Sequence, residues 1–318
     1  MIERRAAAIG LVQSPNARSS HTRPTPSGGG AAIAVAGALV GLYLSLSGGW
    51  VLLAITVVAA GIALLGFLDD LFDLSPAIRF PVQAVLVAVL VVTASPLPGI
   101  ALPFSLTLGG FALGVLVVLA GIWWINLFNF MDGIDGIAAS QAIIILLGAA
   151  ALWLAQDSTA LALPLLVLLF AVVAAAFGFM VRNWPPAKIF MGDAGSNFLA
   201  MVILAVAALT IANGALGYAG WIILVSVFLV DATVTLVRRL SRGERPWIAH
   251  RRHAYQQLSR RFGHRNITLL YAGLSLLWAL PLAWCAQARP DLQWWLVIIC
   301  IVPLAGFTLW AGGGAATE

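Results

Sequence analysis

Asn126-Leu-Phe-Asn129-Phe-Met-Asp132-Gly-Ile-Asp135-Gly136 packs two carboxylates and two carboxamides into eleven residues. An apolar run precedes it (111–124) and another follows it (137–155). Polar groups held this densely beside lipid are costly and call for a compensating ligand. A metal ion or a phosphorylated substrate answers that need. Asn129 precedes Asp132 by three, and Asp132 precedes Asp135 by three, a spacing suited to the edges of a base or ribose as well as to a metal. Gly133 and Gly136 loosen the backbone between them.

Working outward, the rest of the chain is as apolar as those flanks. Of 318 residues, 62% are hydrophobic and 9% charged, against roughly a quarter charged in soluble domains. A bilayer-spanning helix needs about 20 apolar residues. Ten candidate spans meet or approach this: 30–46, 50–68, 80–93, 108–124, 137–155, 161–181, 198–212, 218–237, 267–286 and 292–310. A buried soluble core cannot absorb so many apolar runs. The expected fold is all-α, a polytopic integral membrane protein of about ten transmembrane helices with cytoplasmic catalytic loops. Residues 1–318 form one domain, with a cytoplasmic flap at 11–30 and a large basic cytoplasmic loop at 238–266.

Net charge is +5. Counting loops alternately from an interior N-terminus puts Arg4, Arg5, Arg18, Arg23, Arg79, Arg182, Lys188 and every base from Arg238 to Arg265 on one side. Arg289 alone falls on the other. The crowded side is then cytoplasmic, and the basic balance reports topology rather than a nucleic-acid partner. Cys285 and Cys300 lie inside spans without metal or disulfide spacing. Met1–Gln13 lacks the apolar core of a cleavable signal.

Three further polar clusters fall at span boundaries on the same side. Asp69, Asp70 and Asp73 close the second span. Asp69 and Asp73 share a helix face and Asp70 points elsewhere. Adjacent carboxylates repel unless a cation or proton intervenes, and a helix C-terminus disfavours them further. Arg79 is a candidate partner for them. After the sixth span comes Arg182-Asn183-Trp184-Pro185-Pro186-Ala-Lys188-Ile-Phe190-Met191-Gly192-Asp193-Ala-Gly195-Ser196. Lys188 can meet a phosphate, Phe190 can stack on a base and Asp193 can hold Mg²⁺. In the basic loop, His250, Arg251, Arg252 and His253 can clamp a pyrophosphate or meet acidic lipid headgroups; on a helix the two histidines would face one way. Upstream, Ser14 to Gly30 reads as a flap in which Gly28–Gly30 let backbone approach an anion, with Arg18 and hydroxyls contributing. Asp231, well inside a span, reads as a structural partner of Arg238 or Arg239.

In chain order, PNARSSHTRPTPSGGG (15–30), GFLDDLFDLSP (66–76), NLFNFMDGIDG (126–136), NWPPAKIFMGDAGS (183–196) and HRRHAYQ (250–256) resemble the polyprenyl-phosphate N-acetylhexosamine-1-phosphate transferases. These are the glycosyltransferases of family 4 that include the phospho-N-acetylmuramoyl-pentapeptide translocase. The last two motifs look most like the O-antigen-initiating branch. Ser27 departs from the basic residue usual before the glycines. Members of that branch usually carry an apolar span before the first motif, whereas here Met1–Gln13 precede it.

The resemblance implies transfer of N-acetylhexosamine-1-phosphate (N-acetylglucosamine, or a 6-deoxy relative such as N-acetylfucosamine or N-acetylquinovosamine) from a UDP-sugar to undecaprenyl phosphate. UMP is released and a cell-envelope glycan of O-antigen type begun. It implies Mg²⁺, or Mn²⁺ in its place, held by Asp193 and Asp69. Asp69, with Asp70 beside it, would orient or deprotonate the lipid phosphate. Asn126, Asn129, Asp132 and Asp135 would hold the nucleotide, with Phe190 against uracil. Asn183, Lys188, His250, Arg251, Arg252 and His253 would complete the substrate contacts. The implied location is the bacterial inner membrane with the site on its cytoplasmic face, and a homodimer is compatible with the family. Direct attack and a covalent aspartyl route both remain open. The rival class is a transporter or flippase, which predicts polar groups near mid-span instead.

Overall fold

A computed structural model describes residues 12–13, 25–101, 107–244 and 250–315. The flap residues 14–24, including Arg18, and Arg245 in the basic loop lie outside the described residues.

The longest helix, α1 (Gly30–Phe72), is too long for one crossing: 43 residues at about 1.5 Å each would run to twice a bilayer core. Gly49 resolves this with φ 73° and ψ −171°, a backbone shape that glycine alone adopts freely. The helix there divides into two spans, Gly30–Ser47 and Gly49–Phe72. Next come α2 (Pro76–Ala94), α3 (Gly110–Phe130), α4 (Ile137–Gln156), α5 (Pro164–Asn183) and α6 (Gly192–Ala212). Proline at the first turn starts α2 and α5, where its missing N–H costs nothing. Then α7 (Tyr218–Leu224) and α8 (Ser226–Leu240) meet at a 74° bend. Helix α9 (Ala254–Leu274) continues through a π-turn (Ser275–Ala279) into α10 (Leu280–Ala288), and α11 (Gln293–Trp310) ends the bundle. Two two-residue ladders, Val12–Gln13 with Thr25–Pro26 and Ile100–Ala101 with Thr107–Leu108, are the described strands.

Nine described helices are long and apolar enough to cross a membrane, and the bent α7–α8 pair makes a tenth. The protein is therefore an all-α multi-pass membrane protein. Its centre is α4 and α6, the most enclosed spans, and α1 packs most extensively on α6. Leucine, tryptophan and phenylalanine side chains such as Leu46, Trp50 and Phe111 point outward, as lipid-facing surface requires.

Three boundaries differ from the hydropathy reading. Helices α2 and α6 begin four and six residues before the apolar windows at 80 and 198. The polar start of α6, Gly192 to Asn197, is helical because it packs inside the bundle, where hydropathy is no guide to lipid contact. The basic segment is shorter as a loop than 238–266, because α8 runs to Leu240 and α9 starts at Ala254. Gly263 (φ 78°) breaks α9 where it leaves the polar stretch.

Candidate active site

Helix α1 reaches the site by abandoning side chains. A Cβ on Gly30 would overlap the backbone of Gly195, and one on Gly66 would overlap the carbonyl of Asp193. These close approaches lay α1 directly on α6. Gly29 is held as closely, since a Cβ there would overlap the side chains of Ile189 and Phe179. Gly29 N–H donates to Phe190 O and Gly30 N–H to Met191 O, both at 2.9 Å, so these two donors are already spent.

Asp69 and Asp70 then fall beside the first turn of α6. Asp70 turns toward α6 and accepts from the N–H groups of Asp193 (3.1 Å) and Ala194 (3.4 Å). A carboxylate at a helix N-terminus is favoured by the unpaired amides and the helix dipole. Buried Asp69 accepts from Arg79 Nη1 at 2.5 Å and Leu74 N at 2.8 Å, so the partnership with Arg79 holds. Asp73 caps α1 instead (φ 50°), donating its N–H to Asp69 O.

Helix α3 brings the carboxamides. Asn129 Nδ2 donates to Asp193 Oδ1 at 2.8 Å and to Ser196 Oγ at 3.0 Å. Asn126 Nδ2 donates to Gln83 Oε1 at 2.7 Å and to Ile122 O at 2.8 Å. Asp69, Arg79, Gln83, Asn126, Asn129, Asp193 and Asn197 line one polar cavity of about 10 Å³, roughly the room of one water. Gln83 was not legible as a site residue: a single glutamine in an apolar helix belongs to no motif. Its near-complete burial in α2 is the signal, and only the fold shows it.

Asp132 lies in the turn just beyond α3. Burial, then the negative charges of Asp193, Asp70 and Asp135, push its carboxyl well above the ordinary carboxylate range. Four carboxylates thus share one field. Asp69 and Asp193 themselves lie within hydrogen-bonding reach. Among the described residues, no three His, Cys, Asp or Glu side chains close on one point as a metal cage. Mg²⁺ binds through one or two carboxylates plus substrate phosphates rather than in all-protein cages, and two neighbouring carboxylates in an acid-rich pocket fit that requirement. Asp193 has the freer oxygen, because both oxygens of Asp69 are engaged.

Other expected contacts have different tasks. Asp135 accepts from Ala187 N at 3.0 Å and faces His264 Nδ1 at 3.2 Å. Buried Asn183 accepts from Gly136 N and donates to Ile189 O, each at 2.8 Å. Both side chains staple the 131–136 turn to the 184–191 loop, and Asn183 has its amide ends on backbone rather than turned to a ligand. Lys188 is exposed and Phe190 half-buried, and Phe190 N–H donates to Pro26 O at 2.8 Å.

The two histidines do come together, but in a loop rather than on a helix: His250 and His253 stack with centroids 4.9 Å apart, and His253 is the N-cap of α9. Burial, then neighbouring His253, Arg239 and Arg252, lower His250 to about 3, so it is neutral at pH 7. Its Nδ1 accepts from Arg252 N at 3.3 Å. Positive charge in this segment comes from Arg251 and Arg252, the latter paired with Glu244 at 2.6 Å. The segment is braced from the end of α11. Gly314 N–H donates to Arg252 O, and Arg238 and Arg242 donate to the carbonyls of Gly313 and Gly314. Asp231 is structural as expected, but not through arginine. Its partners are Tyr271, the α9 N-terminus and His253, while Arg239 pairs with Glu244 at 2.9 Å.

Described residues from five separate stretches therefore meet at one end of the bundle. The family model described as glycosyl transferase family 4 matches residues 52–212, half of the chain and all of α2 to α6. A probable undecaprenyl-phosphate N-acetylglucosaminyl 1-phosphate transferase of Bacillus subtilis is 30% identical over 95% of this chain and 85% of its own length. The chain belongs to glycosyl transferase family 4. Within the family, an undecaprenyl-phosphate alpha-N-acetylglucosaminyl 1-phosphate transferase of Thermotoga maritima is 28% identical over 96% of this chain and 91% of its own. A decaprenyl-phosphate N-acetylglucosaminephosphotransferase of Mycolicibacterium smegmatis is 30% identical over 86% and 75%. The family match covers Asp69, Asp70, Asn126, Asn129, Asp132 and Asp193, the residues the fold gathers.

Proposed function

We propose that this protein transfers N-acetylglucosamine-1-phosphate, or a 6-deoxy N-acetylhexosamine-1-phosphate, from a UDP-sugar to undecaprenyl phosphate, releasing UMP. The observation that carries this reading is the convergence of Asp69, Asp70, Asn129, Asp132 and Asp193 from three helix ends and a turn. The relatives named for N-acetylglucosaminyl transfer favour that sugar. The setting we infer is the cytoplasmic face of a bacterial inner membrane, at the start of an envelope glycan. The stacking of bases at that end supports the sidedness.

In the proposed reaction an oxygen of the lipid phosphate attacks the β-phosphorus of the UDP-sugar. The bond to the bridging oxygen breaks, and UMP leaves with that oxygen and its electron pair. A phosphate monoester is largely dianionic at neutral pH, since its second pKa is about 6, so little base catalysis is needed. Positioning and charge compensation carry such transfers. Asp193 and Asp69 would hold Mg²⁺, which supplies charge neutralisation on the diphosphate and the leaving group. Asn129 orients Asp193, Arg79 balances Asp69, and Arg251 and Arg252 offer forked donors to phosphate oxygens. Direct attack is favoured over an aspartyl intermediate because the oxygens of Asp69 and Asp70 already accept from Arg79, Leu74, Asp193 and Ala194. Transport is disfavoured by Asp231, the carboxylate deep in a span, which is enclosed and fully bonded.

The test is UMP release by purified protein with undecaprenyl phosphate, Mg²⁺ and a panel of UDP-sugars, the lipid product being identified by mass. Product with at least one UDP-N-acetylhexosamine is expected. Flux of a lipid-linked sugar without UMP would overturn the assignment.

A further inference from the structure

The buried carboxylate of Asp231 has no place in the reaction above, yet it is tied to two of the segments that serve it. It sits on α8, 1% exposed. Its Oδ1 accepts from Ala254 N at 2.9 Å and its Oδ2 from Tyr255 N at 3.1 Å, the first two amides of α9. Tyr271 Oη donates to Oδ2 at 2.6 Å, Thr235 Oγ1 lies 3.3 Å from Oδ1, and His253 Nδ1 lies 3.6 Å from it. A buried charge is retained only where it is paired and hydrogen-bonded, and a carboxylate facing helix amides is the strong form of an N-cap. The cap here comes from another helix, so it fixes where α9 begins, and with it the His250–His253 segment.

The same helix start reaches the acidic turn. Tyr255 is fully enclosed and its hydroxyl donates to Phe130 O at 2.8 Å. Gly133 N–H is a further hydrogen-bond partner of that hydroxyl. A Cβ on Gly133 would collide with the hydroxyl, so the glycine is there to admit it. The tyrosine ring thus spans from the capped end of α9 to the turn that carries Asp132.

We infer that Asp231 and Tyr255 are positioning residues that hold the Asp132 turn and the His250–His253 segment in register across the substrate cleft. This rests on the proposed reaction for its kinetic consequence, but not for its structural one.

The experiment compares wild type, Asp231→Asn and Tyr255→Phe with Tyr218→Phe as control. Tyr218 makes the same kind of bond, Oη to Pro98 O at 2.8 Å, at the opposite end of the bundle. UMP release is measured against UDP-N-acetylglucosamine, and amide hydrogen exchange is followed over residues 129–136 and 250–256. The expected result is a tenfold or greater rise in KM for the UDP-sugar in Asp231→Asn and Tyr255→Phe. Exchange should be faster in 129–136 for Tyr255→Phe and in both segments for Asp231→Asn, with no such change in the control. If Asp231→Asn does not fold, Tyr255→Phe decides alone. Unchanged KM and unchanged exchange in Tyr255→Phe would overturn the inference while leaving the reaction standing. A wild type that releases no UMP with any UDP-N-acetylhexosamine of the panel would overturn the reaction, and the exchange data would still decide the positioning.

Discussion

The carboxamide of Asn129 donates to the carboxylate of Asp193 at 2.8 Å across 64 residues of sequence. It joins the end of α3 to the first turn of α6. The amide fixes the direction of the Asp193 carboxylate, and a hydrogen bond donated to a carboxylate works in favour of its charged form. Asn129→Ala should therefore lower kcat/KM for UMP release by about 10- to 100-fold, the size expected when a partner of a metal ligand is lost. It should also raise the Mg²⁺ concentration needed for half-maximal rate. Asn129→Asp, which puts a further carboxylate against Asp193, should be worse than alanine.

Asp70 is expected to separate stability from chemistry. It caps α6 from α1, so Asp70→Ala should cost about 1 kcal/mol of stability, as lost helix caps do. The measurement is the thermal midpoint of the detergent-solubilised protein. Asp70→Asn keeps an acceptor, so its midpoint should fall less.

The contact of α1 on α6 leaves no room for a methyl group at Gly30 or Gly66. Gly66→Ala should destabilise by about 1–3 kcal/mol, as overpacked cores do. It should also reduce activity, because the shift falls on Asp193. Gly178, inside α5 with nothing for an added Cβ to meet, is the control, and Gly178→Ala should leave activity unchanged and stability no lower, since alanine is the better helix former.

His250 gives a pH signature. Its folded-state value, lowered to about 3, lies below the unfolded value of about 6.5. The unfolded chain then binds more protons between those values, and stability from this site falls as pH drops from 6.5 toward 3. Above about pH 6.5 the effect is fully absent. His250→Gln should therefore melt less steeply than wild type with acidification between pH 6.5 and 5, and should match its slope between pH 7 and 8.

The span count was legible because lipid imposes a composition on every helix it touches. Gly49 and the α7–α8 bend preserve that count although one helix is continuous through two crossings. That the acidic groups gather at one end of the bundle was legible from their recurrence at alternate span boundaries. What hydropathy could not give was the start of α6, where Asp193 lies in a helical turn that is polar because it faces protein. Nor could it assign partners. Asp231 looked toward arginines on its own helix, yet the fold brings the start of α9 to it from 23 residues away. Gln83 and the Gly313–Gly314 carbonyls carry no sequence signal, since a lone amide and a glycine tail acquire meaning only from what packs beside them.

Asp193 and Asp69 should share one divalent ion with the diphosphate of the donor. The measurement is electron paramagnetic resonance of Mn²⁺ added to purified protein with UDP-N-acetylglucosamine. One Mn²⁺ should bind per chain, be displaced by Mg²⁺, bind more weakly when the nucleotide is omitted and be lost in Asp193→Asn. Mn²⁺ bound equally well by Asp193→Asn, or in wild type without regard to the nucleotide, would contradict it.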